Sequence, residues 1–391
     1  MKKGTKCTIC TGCGRCFGEV KGDTKILSFS PAGKENLHLS RPVISVDIGT
    51  TTIAMILMGS GGLVIDSYTA LNPQGKYGAD VLSRIAASKD PAVLKDMQSL
   101  VTGEIIKGLD KFMAHPESEG AGLYISANTT MTYLLRGLDP ASLGSAPFTS
   151  EYISEDSFTI ASSGKDCSAY VLPGFSAFVG SDIYAGILAS NLCSSDKYKL
   201  LCDLGTNGEI ALGNKDHLYV TATAAGPAFE GGPCKGIWGA DMISLTSRLL
   251  RDNIIDSTGL MNDPYFDEGI DIGSVHITQD SIRALQLAKG AVYAGIETIC
   301  KRAGVSCDDI DEVILAGGFG YFLKPSDASA IRLIPDELAP KCISGGNTAL
   351  KGALHYSEGE RVTLNAEVIN LAEDPSFNDL YMNALNFPEN L

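Results

Sequence analysis

The amino-acid sequence predicts an α/β protein made of two similar half-domains. An apolar strand, an aspartate, a glycine-containing turn and a returning strand occur in this order around Asp47. The same order recurs around Asp203, about 156 residues later. Further apolar strands and amphipathic helices follow each copy. The repetition of one supersecondary unit indicates an internal duplication.

The first copy begins at residue 43, where the sequence changes from mixed to strongly apolar. Residues 43–49 predict a buried strand, and residues 52–58 predict a strand that returns from it. Helices are predicted over residues 77–87 and 91–115. We assign residues 43–199 to half-domain I and residues 21–42, which contain glycine and proline breakers, to a linker.

The second copy begins with an apolar strand over residues 200–205, followed by strands over 209–212 and 218–223. Residues 280–303 carry apolar side chains three or four positions apart, which predicts a long amphipathic helix. A strand over residues 312–316 then ends at a cluster of glycines. We assign residues 200–391, including the C-terminal helices, to half-domain II.

The two acid–glycine turns predict a phosphate site. Glycine allows a tight bend, and the backbone and side-chain donors that follow it can point to one anion. Asp47 and Asp203 cannot bind phosphate themselves, so we expect them to hold Mg²⁺, directly or through water. One such turn is weak evidence because Asp-Gly turns are common in hairpins, but two copies favour phosphate binding. The predicted phosphate-binding residues are Gly49, Thr50, Thr51, Thr52, Gly205, Thr206, Asn207 and Gly208.

Two further glycine-containing segments complete the predicted nucleotide site. Gly317, Gly318 and Phe319 follow the apolar strand over residues 312–316, and paired glycines let a flat ring lie against the backbone. We expect these three residues to contact the nucleoside. Gly226 and Pro227 are expected to turn the chain beside the phosphates.

In this order the elements resemble the actin–hexokinase–heat-shock chaperone superfamily of ATPases. Residues 180–189 and 346–353 are similar to its two connecting helices. The resemblance implies actin-like, ribonuclease H-like half-domains around an ATP cleft. Asp182 matches the acidic position of the first connecting helix and is the predicted water-positioning residue, with Glu230 as second choice and Asp203 as a third catalytic carboxylate. Either Asp182 or Glu230 could instead be a helix cap or a surface acid.

Within that superfamily, residues 203–210, 223–231, 285–291 and 172–174 are similar to the reductive activators of corrinoid-dependent methyltransferase systems. This resemblance covers about residues 43–388 and implies ATP-driven return of Co(II) corrinoid to Co(I). It implies a corrinoid protein partner, an upstream low-potential electron donor and a homodimer. The better-known activators carry a plant-type ferredoxin domain and an additional middle domain, whereas here we expect only a short cysteine segment before the ATPase.

Residues 1–20 are predicted to be an iron–sulfur segment. Four cysteines with two-residue gaps suit a [4Fe–4S] cluster, although the last gap of the bacterial ferredoxin pattern is one residue longer and Cys16 is therefore the least certain ligand. Zinc and a redox-active thiol cluster are the alternatives, and zinc sites usually separate two such pairs more widely. The predicted ligands are Cys7, Cys10, Cys13 and Cys16.

The composition limits the other functions. With a net charge of −15 and no long basic run, the chain should repel nucleic acid. No apolar run is long enough for a membrane span, and no secretory signal is recognised, so we expect a cytoplasmic protein. The seven remaining cysteines are single and are expected to be small buried hydrophobic residues.

Three alternative functions remain open from the sequence. A small-molecule kinase of the same superfamily gives the N-terminal cysteines no role. A filament or chaperone-like clamp with zinc at its N-terminus would not be an enzyme. An ATP-dependent electron donor to another metalloenzyme keeps both ATP and the cluster.

Overall fold

The computed structural model describes residues 37, 39–162, 164–205, 207–226, 228, 239–273, 275–320 and 322–389. The four predicted cysteine ligands therefore lie outside the described residues. The strands are β1 Val43–Ile48, β2 Thr52–Met58, β3 Val64–Leu71, β4 Gly122–Ala127, β5 Asp156–Ser162, β6 Lys165–Val171, β7 Tyr198–Leu204, β8 Gly208–Gly213, β9 Leu218–Thr223, β10 Ile270–Ile272, β11 Val275–Ile277, β12 Ile310–Ala316, β13 Cys342–Gly346 and β14 Glu367–Ile369.

Eleven α-helices connect these strands within the described part of the chain. The helices predicted over 77–87, 91–115 and 280–303 correspond to the observed helices Val81–Ala87, Pro91–Phe112 and Gln279–Ala303. The helices are α1 Val81–Ala87, α2 Pro91–Phe112, α3 Thr129–Arg136, α4 Ser181–Ala189, α5 Gly239–Arg251, α6 Tyr265–Glu268, α7 Gln279–Ala303, α8 Gly317–Gly320, α9 Pro325–Ala330, α10 Thr348–Ser357 and α11 Phe377–Ala384.

The described residues fall into two compact units. The first unit contains residues 37–191 and 347–363, and the second contains residues 192–346 and 364–389. The sheet of the first unit has the strand order β3-β2-β1-β4-β6-β5. Strands β1, β2 and β3 form an antiparallel meander, while β4 runs parallel to β1 and β6 parallel to β4.

The sheet of the second unit repeats this arrangement. Its order is β13-β12-β7-β8-β9-β14, with β7, β8 and β9 as the antiparallel meander. Strand β12 runs parallel to β7, and β13 runs parallel to β12. Each sheet therefore consists of a three-strand antiparallel meander followed by two parallel strands beside the first strand of the meander. One more strand is added at an edge, β5 in the first sheet and β14 in the second. The predicted duplication of an α/β half-domain is confirmed.

Helix α10 belongs to the first unit, although the sequence boundaries placed it in half-domain II. The Ser45 hydroxyl donates to the Leu350 carbonyl at 2.7 Å, and the Ser126 hydroxyl donates to the Ala349 carbonyl at 3.2 Å. Gly352 packs directly on the backbone of Ala185 in α4. The chain thus returns to the first sheet after β13, a crossing that the linear division at residue 200 could not represent.

The segment before β1 also differs from the linker expected over residues 21–42. Leu39 is buried in an apolar cluster with Val43, Tyr124 and Leu354. Its carbonyl oxygen accepts a hydrogen bond from the Gly61 amide at 3.1 Å. The end of the expected linker is therefore part of the core of the first unit.

Replacement of Gly352 by alanine should destabilise the protein by about 1–3 kcal/mol. A Cβ atom at this position would overlap the Ala185 carbonyl group and would separate α4 from α10. The control is Gly103→Ala, because nothing lies near a Cβ atom built on Gly103 in α2. That exchange should stabilise the protein by about 0.5–1 kcal/mol. Denaturant unfolding of both variants measures the difference, and equal stabilities would contradict the close packing of the two helices.

Candidate functional site

The first acid–glycine turn lies where two parallel strands end. Asp47 is near the end of β1, and its register partner on β4 is Ser126. The Gly49 amide donates to the Thr52 carbonyl at 2.9 Å and closes the turn into β2. The carboxyl ends of parallel strands are the usual place for a ligand site in α/β proteins. Residues 47–52 are hereafter called the first turn.

Asp47 is fixed by a residue that the sequence reasoning missed. The side-chain amide of Asn347 donates to Asp47 Oδ2 at 2.8 Å. Asn347 is also the N-cap of α10, since its Oδ1 accepts from the Leu350 amide at 2.8 Å. Because the cap uses the oxygen of the side chain, its nitrogen points to the carboxylate. Residues 346–353, which resemble the second connecting helix, include Asn347, but their sequence gave no sign of this contact.

Asp182, the predicted water-positioning residue, lies in the same part of the first unit. It occupies the first turn of α4, and its Oδ1 accepts from the Ile183 amide at 2.9 Å. Its negative charge is close enough to raise the pKa of Asp47. The structure therefore brings together Asp47, Asp182 and Asn347 from three segments of the chain.

Both carboxyl groups are harder to ionise than an ordinary aspartic acid. Burial raises the pKa of Asp47 to about 7, the Asn347 hydrogen bond opposes this rise, and the charge of Asp182 adds to it. Burial raises the pKa of Asp182 to about 6, against the hydrogen bond from the Ile183 amide. A divalent cation would relieve the cost of two adjacent negative charges. The donor set suits Mg²⁺, which prefers carboxylate oxygens and retained waters.

Thr50 in the first turn is buried and has a fixed hydroxyl group. Asn128, which follows β4, donates from Nδ2 to Thr50 Oγ1 at 3.2 Å. Asn128 Oδ1 accepts from the Met131 amide at 2.9 Å and so caps α3. Two asparagines, Asn128 and Asn347, thus use the same device: the oxygen caps a helix and the nitrogen orients a residue of the first turn.

The second acid–glycine turn, residues 203–209, joins β7 to β8. The Gly205 amide donates to the Asn207 carbonyl at 2.9 Å, so this turn is closed much like the first. Asp203 lies opposite Glu209 across the antiparallel pair, which puts both side chains on one face of the sheet. Thr206, a predicted phosphate ligand, lies outside the described residues.

Gly317 lies against the second turn. Its φ angle is +84°, and a Cβ atom built on it would lie 2.5 Å from Asp203 Oδ1 and 2.5 Å from the Leu204 carbonyl oxygen. Only glycine fits this conformation and this distance. The structure thus places the predicted nucleoside segment, which forms α8, next to the predicted magnesium-holding Asp203 of the same unit. The side chain of Phe319 lies outside the described part of the structure, so its contact with the nucleoside stays a prediction.

Asp241 is a second residue that the sequence reasoning missed. It lies in the first turn of α5, a helix that contacts α8. Its Oδ2 is buried and has no hydrogen-bond partner in the described part of the chain. Burial raises the pKa of Asp241, and the charge of Lys324 opposes the rise. Because this oxygen has no partner among the described residues, it is suited to accept a hydrogen bond from a hydroxyl-bearing ligand.

Several predicted site residues lie outside the described part of the chain. Gly226 is described and has a φ angle of +69°, which agrees with a turn at this position. Within the described residues, no group of three or more His, Cys, Asp or Glu side chains could hold a metal ion without further ligands. The residues outside the description are Thr206, Pro227, Glu230, Cys7, Cys10, Cys13 and Cys16.

The scattered cysteines follow the expectation in part. Cys167, Cys202 and Cys300 are buried, as predicted, whereas Cys193, Cys307 and Cys342 are half-buried. None of these six forms a disulfide. Among the described helices, none is both long and apolar enough to cross a bilayer.

Family comparisons agree with the fold. The RACo middle region matches residues 43–195, and the C-terminal domain of RACo, the ASKHA domain, matches residues 197–236 and 232–391. The chain belongs to the RACo family. The predicted superfamily and the actin-like fold class are thereby confirmed. The match also corrects one expectation: the RACo middle region is present in this chain, and it is the segment assigned to half-domain I.

The chain is similar to proteins that are named as corrinoid activators or as a corrinoid protein reductase. It is 28% identical over 453 aligned positions to the corrinoid activation enzyme RamQ of Eubacterium limosum, with 95% of this chain and 74% of the relative covered. It is 23% identical over 286 positions to the [Co(II) methylated amine-specific corrinoid protein] reductase of Methanosarcina barkeri, covering 57% and 52%. A solved structure named reductive activator for corrinoid, iron–sulfur protein has a TM-score of 0.78 at 28% identity, covering 91% of this chain and 67% of that one.

The pKa of Asp47 predicts how the unliganded protein responds to pH. Between the ordinary pKa of 3.8 and the folded-state value of about 7, the native state holds more protons than the unfolded state. The free energy of unfolding should therefore fall as the pH rises through this window. Asp47→Asn removes the group, so its stability relative to the parent should increase by about 1.4 kcal/mol per pH unit from pH 5 to about pH 7 and then level off.

Denaturant unfolding at both pH values, without nucleotide or divalent cation, measures this effect. The exposed Asp311→Asn is the control for the loss of one negative charge. A stability difference between Asp47→Asn and the parent that stays constant with pH would contradict the raised pKa.

Proposed function

We propose that this chain is an ATP-hydrolysing reductive activator that returns a corrinoid protein from Co(II) to Co(I). The observation that carries the proposal is the RACo family match over residues 43–391. The relatives that match most of this chain are named as activators of corrinoid proteins. Two copies of the acid–glycine turn supply the carboxylates and the backbone amides that a magnesium nucleotide requires.

The proposed roles of the residues follow from their contacts. Asp47 and Asp203 would hold Mg²⁺, which neutralises phosphate charge when bound. The first turn and residues 205–208 would bind the phosphates through backbone amides and hydroxyl groups, beside the Gly226–Pro227 turn. Asp182, with a pKa of about 6, would accept a hydrogen bond from the attacking water and orient it. Glu230 is the second candidate for that role.

The nucleoside is proposed to lie against α8. Gly317 brings the backbone of this segment against Asp203, and Gly318 and Phe319 follow it in the helix. Asp241 lies in α5, which contacts α8, and its Oδ2 has no hydrogen-bond partner among the described residues. We propose that this oxygen accepts a hydrogen bond from a ribose hydroxyl.

The N-terminal cysteines are proposed to hold the electron-transfer group. Cys7, Cys10, Cys13 and Cys16 would bind a [4Fe–4S] cluster, which when bound supplies a single electron. An upstream low-potential donor would refill it, and the working unit would be a homodimer. Transfer of one electron against a potential difference costs about 1.4 kcal/mol for every 59 mV. Coupling to ATP hydrolysis would offset that cost.

Asp47→Asn and Asp203→Asn should each lower ATP hydrolysis by about a hundredfold. Each replacement removes a negative charge that is proposed to hold Mg²⁺ during ATP hydrolysis. Calorimetry measures ATP binding to the parent and to each variant, and each variant should bind ATP more weakly. The exposed Asp311→Asn should retain the parental rate. Full activity in either site variant would remove that turn from the ATP site.

Cys10→Ser should abolish Co(I) formation while ATP hydrolysis continues. The assay mixes anaerobically purified protein, ATP, a reductant and a Co(II) corrinoid protein, and records the Co(I) absorbance. Iron and zinc contents are measured on the same preparation. Cys193→Ser, a half-buried cysteine of the second unit, is the matched control.

The outcomes separate the competing functions. Zinc without iron would remove the electron-transfer role, and a phosphorylated product formed equally by Cys10→Ser would favour a small-molecule kinase. Iron and ATP hydrolysis without Co(I) from any corrinoid protein would favour another metalloenzyme as partner.

A further inference from the structure

A buried arginine lies directly behind the first turn. Arg84 in α1 is 1% exposed, and its guanidinium group donates from Nη2 to the Thr50 carbonyl at 2.6 Å. Nε donates to the Gly78 carbonyl at 3.0 Å, and Nη1 lies 3.3 Å from Met131 Sδ. Burial of a guanidinium group is costly unless its N–H groups are hydrogen-bonded. Here the planar fork joins the first turn to two other segments of the unit.

Asn72 acts on the neighbouring carbonyl groups of the same turn. Its Nδ2 donates to the Gly49 carbonyl at 2.9 Å, and its backbone amide donates to the Thr51 carbonyl at 2.8 Å. Asn72 is 4% exposed, and its Nδ2 lies 3.6 Å from Met131 Sδ. Since the Asn72 and Arg84 side chains both contact this sulfur atom, they lie on one side of the turn.

Three successive carbonyl oxygens, those of residues 49–51, are thus all bound by donors. A carbonyl oxygen carries partial negative charge and would repel a phosphate. In a planar trans peptide the N–H group points opposite to the C=O group. Holding the Gly49 and Thr50 carbonyl groups on the Arg84 side therefore directs the N–H groups of Thr50 and Thr51 to the other face of the turn.

We propose that Arg84, together with Asn72, is a positioning residue that fixes the first turn for phosphate binding. The inference rests on the proposed function in naming ATP as the source of the phosphate. Arg84 touches no reacting atom; it acts through the Thr50 carbonyl. Its positive charge, enclosed in a medium of low dielectric constant, also makes the electrostatic potential at the turn more favourable to an anion.

The test compares Arg84→Met with Val101→Ala. Methionine fills much of the arginine volume but donates no hydrogen bond. Val101 is a fully buried residue of the apolar core that also contains Met131. Arg84→Met should weaken MgATP binding by about tenfold to a hundredfold, the usual effect of losing a residue that orients a ligand group. Adenosine binding should be unchanged. Val101→Ala should lower the melting temperature without changing the ratio of ATP to adenosine affinity.

Hydrogen exchange without nucleotide provides a second measurement. The Asn72 amide, which donates to the Thr51 carbonyl, should exchange faster in Arg84→Met than in Val101→Ala. This measurement tests the inference even if the parent binds no ATP. Absence of ATP binding by the parent would overturn the proposed function instead.

If Arg84→Met does not fold, Arg84→Lys and Asn72→Asp carry the test. Lysine cannot reproduce the fork, and aspartate loses the donor to the Gly49 carbonyl, so both should weaken ATP binding selectively. Parental affinity in the folded variants, or equal losses in Val101→Ala, would overturn the inference.

Discussion

The burial of two carboxyl groups, those of Asp47 and Asp182, is the main electrostatic constraint on the first unit. Asp47 and Asp182 lie near each other in partly buried positions, and burial raises the pKa of both. A site of this kind stores unfavourable charge that a divalent cation can compensate. Asn347 limits the cost by donating a hydrogen bond to Asp47. A cation bound there, as the proposed function requires, would offset this cost and would let a carboxylate and a phosphate share one turn.

Backbone geometry imposes a comparable constraint on both units. In the first, a Cβ atom at Gly180 would lie 2.6 Å from the Ala127 carbonyl oxygen, so glycine is needed directly before α4 and Asp182. In the second, a Cβ atom at Gly317 would lie 2.5 Å from Asp203 Oδ1. A glycine thus allows close approach of two segments in both units, directly before the helix that carries Asp182 in the first and at Asp203 itself in the second. Steric limits on the backbone therefore act on the surroundings of both acids in addition to hydrogen bonds.

The sequence predicted the local parts of this structure well. The acid–glycine turns were predicted from glycine residues at strand ends, and α2 and α7 from patterns typical of helices. Both signals depend only on neighbouring residues. It did not predict that Asn347 reaches Asp47, because this contact spans 300 positions. Arg84 was hidden inside a helical pattern, where a charged residue is normally expected to face solvent. The assignment of α10 failed for the same reason: periodicity shows that a helix has an apolar face but does not show which sheet covers it.

The chain leaves the second sheet directly before Asn347, the residue that donates a hydrogen bond to Asp47. Strand β13 is the edge neighbour of β12, which in turn pairs with β7, the strand that carries Asp203. The residue that follows β13 is Asn347, whose side chain holds Asp47. The hydrogen bond that favours the ionised form of Asp47 is therefore made by the first residue after the second sheet ends.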